Sequence, residues 1–460
     1  MLLSRLTAIG KRIFDPPRRP PGPTALDIKR EGRQQELFWS IDYPLKMSQQ
    51  FGGFVYFAQI KRYIVTSPEG FEYIIKTNQK NYERSRVFYN FRMRPLFGKS
   101  LLTTTGEEWK YRRKNIQAAY QKTCLRQYIP IIIKHTEKYV EDLKQQKSKK
   151  IIMLSEMGVL TLNIAFEIFC SKSFSRPFLN KLGKSIAYCN RYSAHAIFIK
   201  WWKPSLSSIR FFLHMSRINK VLLEIVRERR KNPQEKSDLL NILINSRNSE
   251  THAPLTDSEI LDEFKTHLVT GHETSATGLT WTFYLLAKNH HYREKMEAEF
   301  KEVLNGRAPE MEDMEKLPLT RAIISESFRL YPPVWAIARG NIKDDVYLGY
   351  DIPANSFILL HLYALHRNPS VWEKPDEFYP ERFLEGAPER HPFAYLPFFS
   401  GAHTCIAHQF APLEMTIILG VICQQLRFDM LNFKQKVIPQ TCITLRPKGG
   451  IKMRWRLRAE

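Results

Sequence analysis

The residues with the widest chemical reach lie in Pro397-Phe398-Phe399-Ser400-Gly401-Ala402-His403-Thr404-Cys405-Ile406-Ala407-His408-Gln409-Phe410-Ala411, where one cysteine sits in a glycine-bearing turn. A helical pattern follows at once, with Ile406, Phe410 and Leu413 sharing a face with Ile417. A thiol at a helix N-terminus is favoured as thiolate, because free backbone N–H groups and the helix dipole stabilise negative charge. Cys405 is therefore read as an anionic metal ligand or a nucleophile. Two rival chemistries use its histidine neighbours. His403, Cys405 and His408 are natural zinc ligands at tight spacing, but no fourth ligand is evident nearby. A cysteine hydrolase would need His403 as base, yet a residue two before the nucleophile points away on a turn, and no orienting acid is apparent.

Three other constellations have chemical content. Trp109 and Arg113 are four apart, hence on one helix face, and an indole N–H beside a guanidinium could grip a carboxylate; an amphipathic surface helix explains the same spacing. Thr270-Gly271-His272-Glu273-Thr274-Ser275 interrupts an apolar helix face with glycine and small polar residues. A mid-helix glycine costs ~1 kcal/mol against alanine, so it asks for a cause: close approach by a flat ligand, or a tight helix crossing. Glu326 and Arg329 form an i,i+3 pair, and their neighbours Ile323, Ile324, Phe328 and Leu330 point to partial burial.

The elements that must position these residues follow from periodicity and punctuation. Thr256-Asp257-Ser258-Glu259 is a capping box, and the helix it starts runs through Ile260, Phe264, Leu268, Leu279 and Phe283 to about Lys288. Gly106 to Leu143 is helical with a break near Pro130, and the Glu326 helix ends before Pro332-Pro333. Phe54 to Val65 reads as a hairpin, and Pro68 opens a helix through Ile75. Short strands are expected from Asp345 to Tyr363, and a hairpin over Thr441 to Leu457 around Lys448-Gly449-Gly450. Lys144 to Lys150 and Arg227 to Asp238 read as solvent loops. Between them Phe198, Trp201, Trp202, Phe211 and Phe212 alternate with Lys200, Lys203 and Arg210, which suits a membrane interface, the lid of an apolar pocket or ordinary helix packing.

A chain of 460 residues with 43% hydrophobic content can bury a sizeable core, and it shows neither an internal repeat nor a linker long enough to divide it. Its 70 Lys+Arg against 46 Asp+Glu give +24, suited to an acidic partner protein, an anionic membrane surface or nucleic acid. Basic residues are scattered and no nucleic-acid-binding signature appears, which argues against nucleic acid. Six irregularly spaced cysteines read as reduced thiols in a cytoplasmic setting, and no apolar run reaches the ~18 residues of a membrane span. Met1 to Phe14 reads either as an interfacial helix in peripheral membrane contact or as a frayed basic terminus or weak core helix, and Pro16 to Pro23 as a stiff connector.

Taken together and in order, these motifs resemble the cytochrome P-450 family of haem-thiolate monooxygenases from about Phe54 to the C-terminus. The resemblance implies a mainly α fold with small β-sheets, a segment 1–24 and a single haem domain 25–460. It makes Cys405 the axial ligand of heme b, with Phe398 and Gly401 at the matching upstream positions. Trp109, Arg113, Arg339 and His403 become propionate donors, Glu273 and Thr274 the pair that delivers protons during oxygen activation, and Glu326, Arg329 and Arg382 the buried scaffold behind the cysteine. The sequence departs from the family's pattern at His403, Ala407, Phe399 and Thr270, and none of these removes a group that the reaction needs.

By the same resemblance the substrate pocket maps to Phe88, Tyr89, Phe91 and Met93, to the aromatics Phe198 to Phe212, to Thr270, and to Val334, Trp335, Ala336 and Ile337. That lining suits a lipophilic substrate such as a fatty acid, terpene or sterol-like molecule, oxidised with O2. No flavin or nicotinamide domain follows in the fifty or so residues after Cys405, so electrons are expected from a separate ferredoxin, flavodoxin or reductase, docked on a basic face that includes Lys114 and Arg112. The alternative is a non-catalytic haem sensor or carrier, which would have no use for the proton-delivering pair Glu273 and Thr274.

Overall fold

In the computed structural model the described residues are 18–24, 38–195, 205–234, 236 and 238–458. The readings at Met1 to Phe14, Phe198, Trp201 and Trp202 lie outside them. Two compact units form, one from residues 1–85 and 336–368, the other from 86–335 and 369–460.

The first unit is built on a five-stranded sheet in the order Phe54–Phe57, Arg62–Val65, Phe357–Leu360, Ile337–Asn341, Tyr82–Arg84. The expected hairpin pairs Phe54 with Val65 and Phe57 with Arg62, turning through Lys61 in the left-handed region. Arg62–Val65 then runs parallel to Phe357–Leu360, and the other pairings are antiparallel. The proline-rich connector is not free. Pro21 O accepts from the Tyr56 N–H at 3.2 Å, and Arg18 and Asp351 exchange bonds at 2.8 and 2.9 Å.

The second unit is helical. Its main helices are α1 (Gly106–Ile116), α2 (Lys122–Lys144), α3 (Met153–Cys170), α4 (Arg176–His195), α5 (Leu206–Lys231), α6 (Asp257–Lys288), α7 (Pro318–Leu330) and α8 (Phe410–Cys423). The capping box on α6 forms in both directions between Thr256 and Glu259. Helix α6 packs on α3, α5, α7 and α8. Thr161 Oγ1 bonds His272 O at 2.9 Å, and Trp281 stacks on Tyr331 at 3.8 Å.

Four expectations need correction. The break in the Gly106–Leu143 pattern falls at Gln117–Gln121, not at Pro130, which stays inside α2. Burial of Leu125, Tyr128, Ile129 and Ile132 on that helix, at roughly 1.5–3 kcal/mol each, outweighs the ~3 kcal/mol that an interior proline costs. The stretch 227–231 is not loop but the end of α5, where the buried Arg229 bonds Asp238 at 2.9 Å and Cys170 O at 2.8 Å. The C-terminal hairpin does not form: Leu445–Pro447 pairs with Pro439–Thr441, while Lys452–Leu457 pairs with Leu426–Met430 and Lys150–Ile152. Gly449 and Gly450, both at positive φ, redirect the chain between those two sheets. Finally, α3 has 18 residues with a mean hydropathy of 1.4, long and apolar enough to cross a membrane, but 67% of it is buried against protein, as in a core helix.

Candidate functional site

From Glu263 to Phe283, α6 is buried all round except along one strip, Thr270, Gly271 and Thr274. Residues 270 and 274 are one turn apart, so the strip is a single open face on a helix otherwise packed with protein. A methyl added at Gly271 would come within 3.2 Å of the Phe169 ring, so close helix packing already accounts for the glycine. Along the strip the hydroxyls bond back along the helix, Thr274 Oγ1 to Thr270 O at 2.8 Å and Thr270 Oγ1 to Thr266 O at 2.7 Å. The neighbouring Glu273 turns the other way. Buried to 4% exposure, its carboxylate accepts from Thr444 Oγ1 at 2.6 Å and from Arg446 Nε at 2.8 Å, and it forms a close ion pair with that guanidinium.

Cys405 lies in a turn between a short 3-10 turn, Gly401–His403, and α8. The turn is closed by its own N–H donating to Phe398 O at 2.8 Å, and it passes through Phe399 at φ 59° and Gly401 at φ 72°. Helix α8 begins only at Phe410, so Cys405 stands outside its first turn, and the helix-terminus stabilisation expected from sequence does not reach it. Burial instead pushes the thiol above its ordinary range, opposed by the Ala407 N–H and by the positive charge of Arg113. Arg113, on α1, donates from Nη1 to Thr404 O at 2.8 Å, and the Trp109 ring lies 4.1 Å from that of His403. Among the described residues no carboxylate pairs with Arg113.

A half-buried cation without a carboxylate partner among the described residues, beside a half-buried thiol, is an incomplete charge set. It fits a ligand that brings carboxylates to Arg113 and a metal to Cys405, which binds as thiolate. The zinc alternative does not fit. No three His, Cys, Asp or Glu side chains gather to hold a metal among the described residues, and the exposed His408 spends Nδ1 on Cys405 O at 3.0 Å.

Behind the turn, Glu326 and Arg329 on α7 are fully buried and bonded twice, at 2.7 and 2.8 Å. Arg382 approaches Glu326 at 3.4 Å, and the Tyr379 N–H donates to Glu326 at 2.9 Å. Arg329 also holds Pro375 O at 2.7 Å and Glu377 O at 3.1 Å, and Arg382 holds Lys374 O at 2.8 Å. Two arginines and one carboxylate thereby fix a coil that has almost no secondary structure of its own.

The remaining expected residues are dispersed. Phe88 is buried on the helical turn Arg86–Phe88, Phe91 falls in the π-helical turn Tyr89–Met93, and Val334 is half-buried beside the buried Trp335. Arg339 and Ala336 belong to the first unit, where Arg339 is buried on the strand Ile337–Asn341. Arg112, expected on a basic docking face, is turned inward: it pairs with Glu263 at 2.6 Å and Glu108 at 2.8 Å. Sequence reasoning missed Thr444 and Arg446, which reach Glu273 from more than 170 positions away and carry no local signal.

The sequence matches the family described as Cytochrome P450 over residues 20–453. Among curated proteins it is 30% identical over 376 residues to cyclooctat-9-en-7-ol 5-monooxygenase of Streptomyces melanosporofaciens, covering 80% of each chain. It is 28% identical to leukotriene-B4 omega-hydroxylase 3 of Mus musculus, covering 80% of this chain and 75% of that protein. Among solved structures, the heme domain of cytochrome P450DA superposes with a TM-score of 0.84 at 23% identity, over 97% of this chain and 98% of the other. With a family match across nearly its whole length and relatives that are monooxygenases and hydroxylases, the chain belongs to the cytochrome P450 family of haem-thiolate oxidoreductases.

Proposed function

We propose that Cys405 is the axial thiolate of heme b in a monooxygenase that inserts one atom of O2 into a lipophilic substrate. The observation that carries this reading is the incomplete charge set around the turn: a half-buried thiol and, beside it, the carboxylate-free Arg113. Held through the Cys405 sulfur, haem would supply O2 activation, and a thiolate ligand would favour O–O cleavage. Arg113 neutralises a propionate, with His403 and Trp109 as further donors on the same side. The Ala407 N–H donates to the sulfur and tempers its charge. Thr274, on the open strip of α6, holds a water or a reacting oxygen once its hydroxyl leaves Thr270 O.

Glu273 supplies protons only by letting go of Arg446 and Thr444, so these two position it and set how readily it moves. A lipophilic substrate such as a fatty acid, terpene or sterol-like molecule is supported by the names of the relatives, which act on cyclooctat-9-en-7-ol and leukotriene B4. Electrons come from a separate donor protein, for which exposed Lys110 and Lys114 beside Trp109 and Arg113 offer a basic landing. Peripheral membrane contact is supported by α5, which exposes Leu206, Ile209, Phe212 and Leu213 next to the exposed Arg210.

The test is the absorption of the reduced protein under carbon monoxide. The wild-type chain should give the strongly red-shifted haem-thiolate band, and Cys405→Ser should lose it while keeping its fold. An unshifted band in the wild type would refute the ligand assignment.

A further inference from the structure

One buried polar group has no part in the chemistry above. His267 lies on α6, two turns before Thr274, and is 4% exposed. Its Nδ1 is 2.9 Å from the Tyr120 hydroxyl, while Nε2 has no hydrogen-bond partner and faces Glu263 Oε2 at 3.9 Å. The carboxylate opposite Nε2 favours the tautomer with its proton there, which leaves Nδ1 to accept from the phenol. Burial and the charge of Arg113 hold the imidazole neutral, with a pKa of about 4, so the acceptor is empty at rest. Tyr120 is half-buried, as Cys405 is, and both feel the charge of Arg113.

Beyond His267 the chain of groups runs to Glu263, which takes two bonds from the Leu101 N–H and one from Arg112 Nη1 at 2.6 Å. Arginine does not give up a proton in proteins, so the chain cannot conduct protons to solvent. A proton can rock between Tyr120 and His267 and go no farther. That arrangement suits a phenol oxidised by one electron, because the phenoxyl radical forms readily only where a base stands ready for the proton.

We propose that Tyr120, His267 and Glu263 form a proton-coupled redox site that discharges oxidising equivalents when the cofactor is oxidised without substrate; this rests on the Cys405 reading above. Tyr120 gives one electron to the oxidised cofactor and its phenolic proton to His267 Nδ1. The products are a neutral phenoxyl radical and an imidazolium whose Nε2–H faces the Glu263 carboxylate. The proton returns when the protein that supplies the enzyme's electrons reduces the radical.

The test is rapid freeze-quench electron paramagnetic resonance of the haem-loaded protein mixed with a peroxyacid, with the reduced carbon monoxide spectrum taken first. The wild type should give a tyrosyl signal that narrows on ring deuteration of tyrosine. Tyr120→Phe, which removes only the hydroxyl, should lower that signal at least tenfold, and His267→Gln, which removes the base, several-fold, with haem loading unchanged in both. A wild-type protein with the thiolate band but no tyrosyl signal overturns the proposal, as does an undiminished signal in Tyr120→Phe. Loss of the thiolate band itself would overturn the Cys405 reading first, and this inference with it.

Discussion

The network around Glu326 and the surroundings of Cys405 lie in one helical unit and handle buried charge in opposite ways. Glu326 is closed on every side: two arginines and the Tyr379 N–H reach it, and both it and Arg329 are fully buried. Around Cys405 the set is unfinished, with a neutral thiol and a guanidinium lacking its carboxylate. A saturated, fully buried network is scaffold, whereas an unsaturated, half-buried one suits something the chain does not itself supply. Two further carboxylates fall between these extremes. Glu273 is paired with Arg446, and Glu414 on α8, with no ion-pair partner among the described residues, bonds Ser275 at 2.5 Å.

The largest effect should come from opening the closed network. Glu326→Ala leaves two buried arginines without their carboxylate, at a cost of ~3–5 kcal/mol, and should abolish haem incorporation. Thermal unfolding and holo-protein yield measure it, and a normal yield would make the network dispensable. Next is Glu414. Burial raises its pKa to about 8, well above the ordinary value near 4.5, so between those values the folded state binds the proton and the unfolded chain does not. Its contribution to stability is therefore complete below about pH 4.5 and is lost as pH rises towards 8, at up to ~1.4 kcal/mol per unit. Glu414→Gln keeps a neutral partner for Ser275 and should flatten that slope in urea titrations at pH 5, 6.5 and 8; an unchanged slope would mean that Glu414 is ionised.

Arg113→Gln tests the open set. It removes a charged donor but strands no carboxylate of the chain, so haem affinity should fall by ~1.5–3 kcal/mol in titrations of the cofactor-free protein while stability without haem stays level. A large loss of stability would reclassify Arg113 as scaffold. Smallest should be Arg446→Gln. With its cation gone, Glu273 is freer to move, which should change the ratio of product to released hydrogen peroxide severalfold. An unmoved ratio would leave Glu273 structural.

What the sequence disclosed was set by the range over which its signals act. The capping box at Thr256, the length of α6 and the pairing of Phe54 to Val65 were readable because each is decided by residues within a few positions of one another. The pair Glu326 and Arg329 was readable for the same reason, and the three points of the coil that it holds, Pro375, Glu377 and Tyr379, were not. Pro130 misled because an interior proline is a local cost that distant burial overrides. The last strand misled because alternation reveals a strand and not its partner. Arg112 was read as surface because charge runs usually are, and it turned inward to a carboxylate some 150 positions away. At the site, Cys405 and Arg113 were legible as residue types. The neutral state of the thiol and the grip of Arg446 on Glu273 depend on burial and on contacts that exist only once the chain has folded.

Phe399, at φ 59° in the turn before Cys405, holds a conformation that costs a residue with a Cβ roughly 1–2 kcal/mol relative to glycine. Its half-buried ring returns a similar amount, since complete burial of a phenylalanine is worth about 1.5–3 kcal/mol. The two terms nearly cancel, so folding exerts little pull on the identity of residue 399. That position can drift, or be engineered, at almost no cost to the fold, so the turn that carries Cys405 does not depend on which side chain stands at 399.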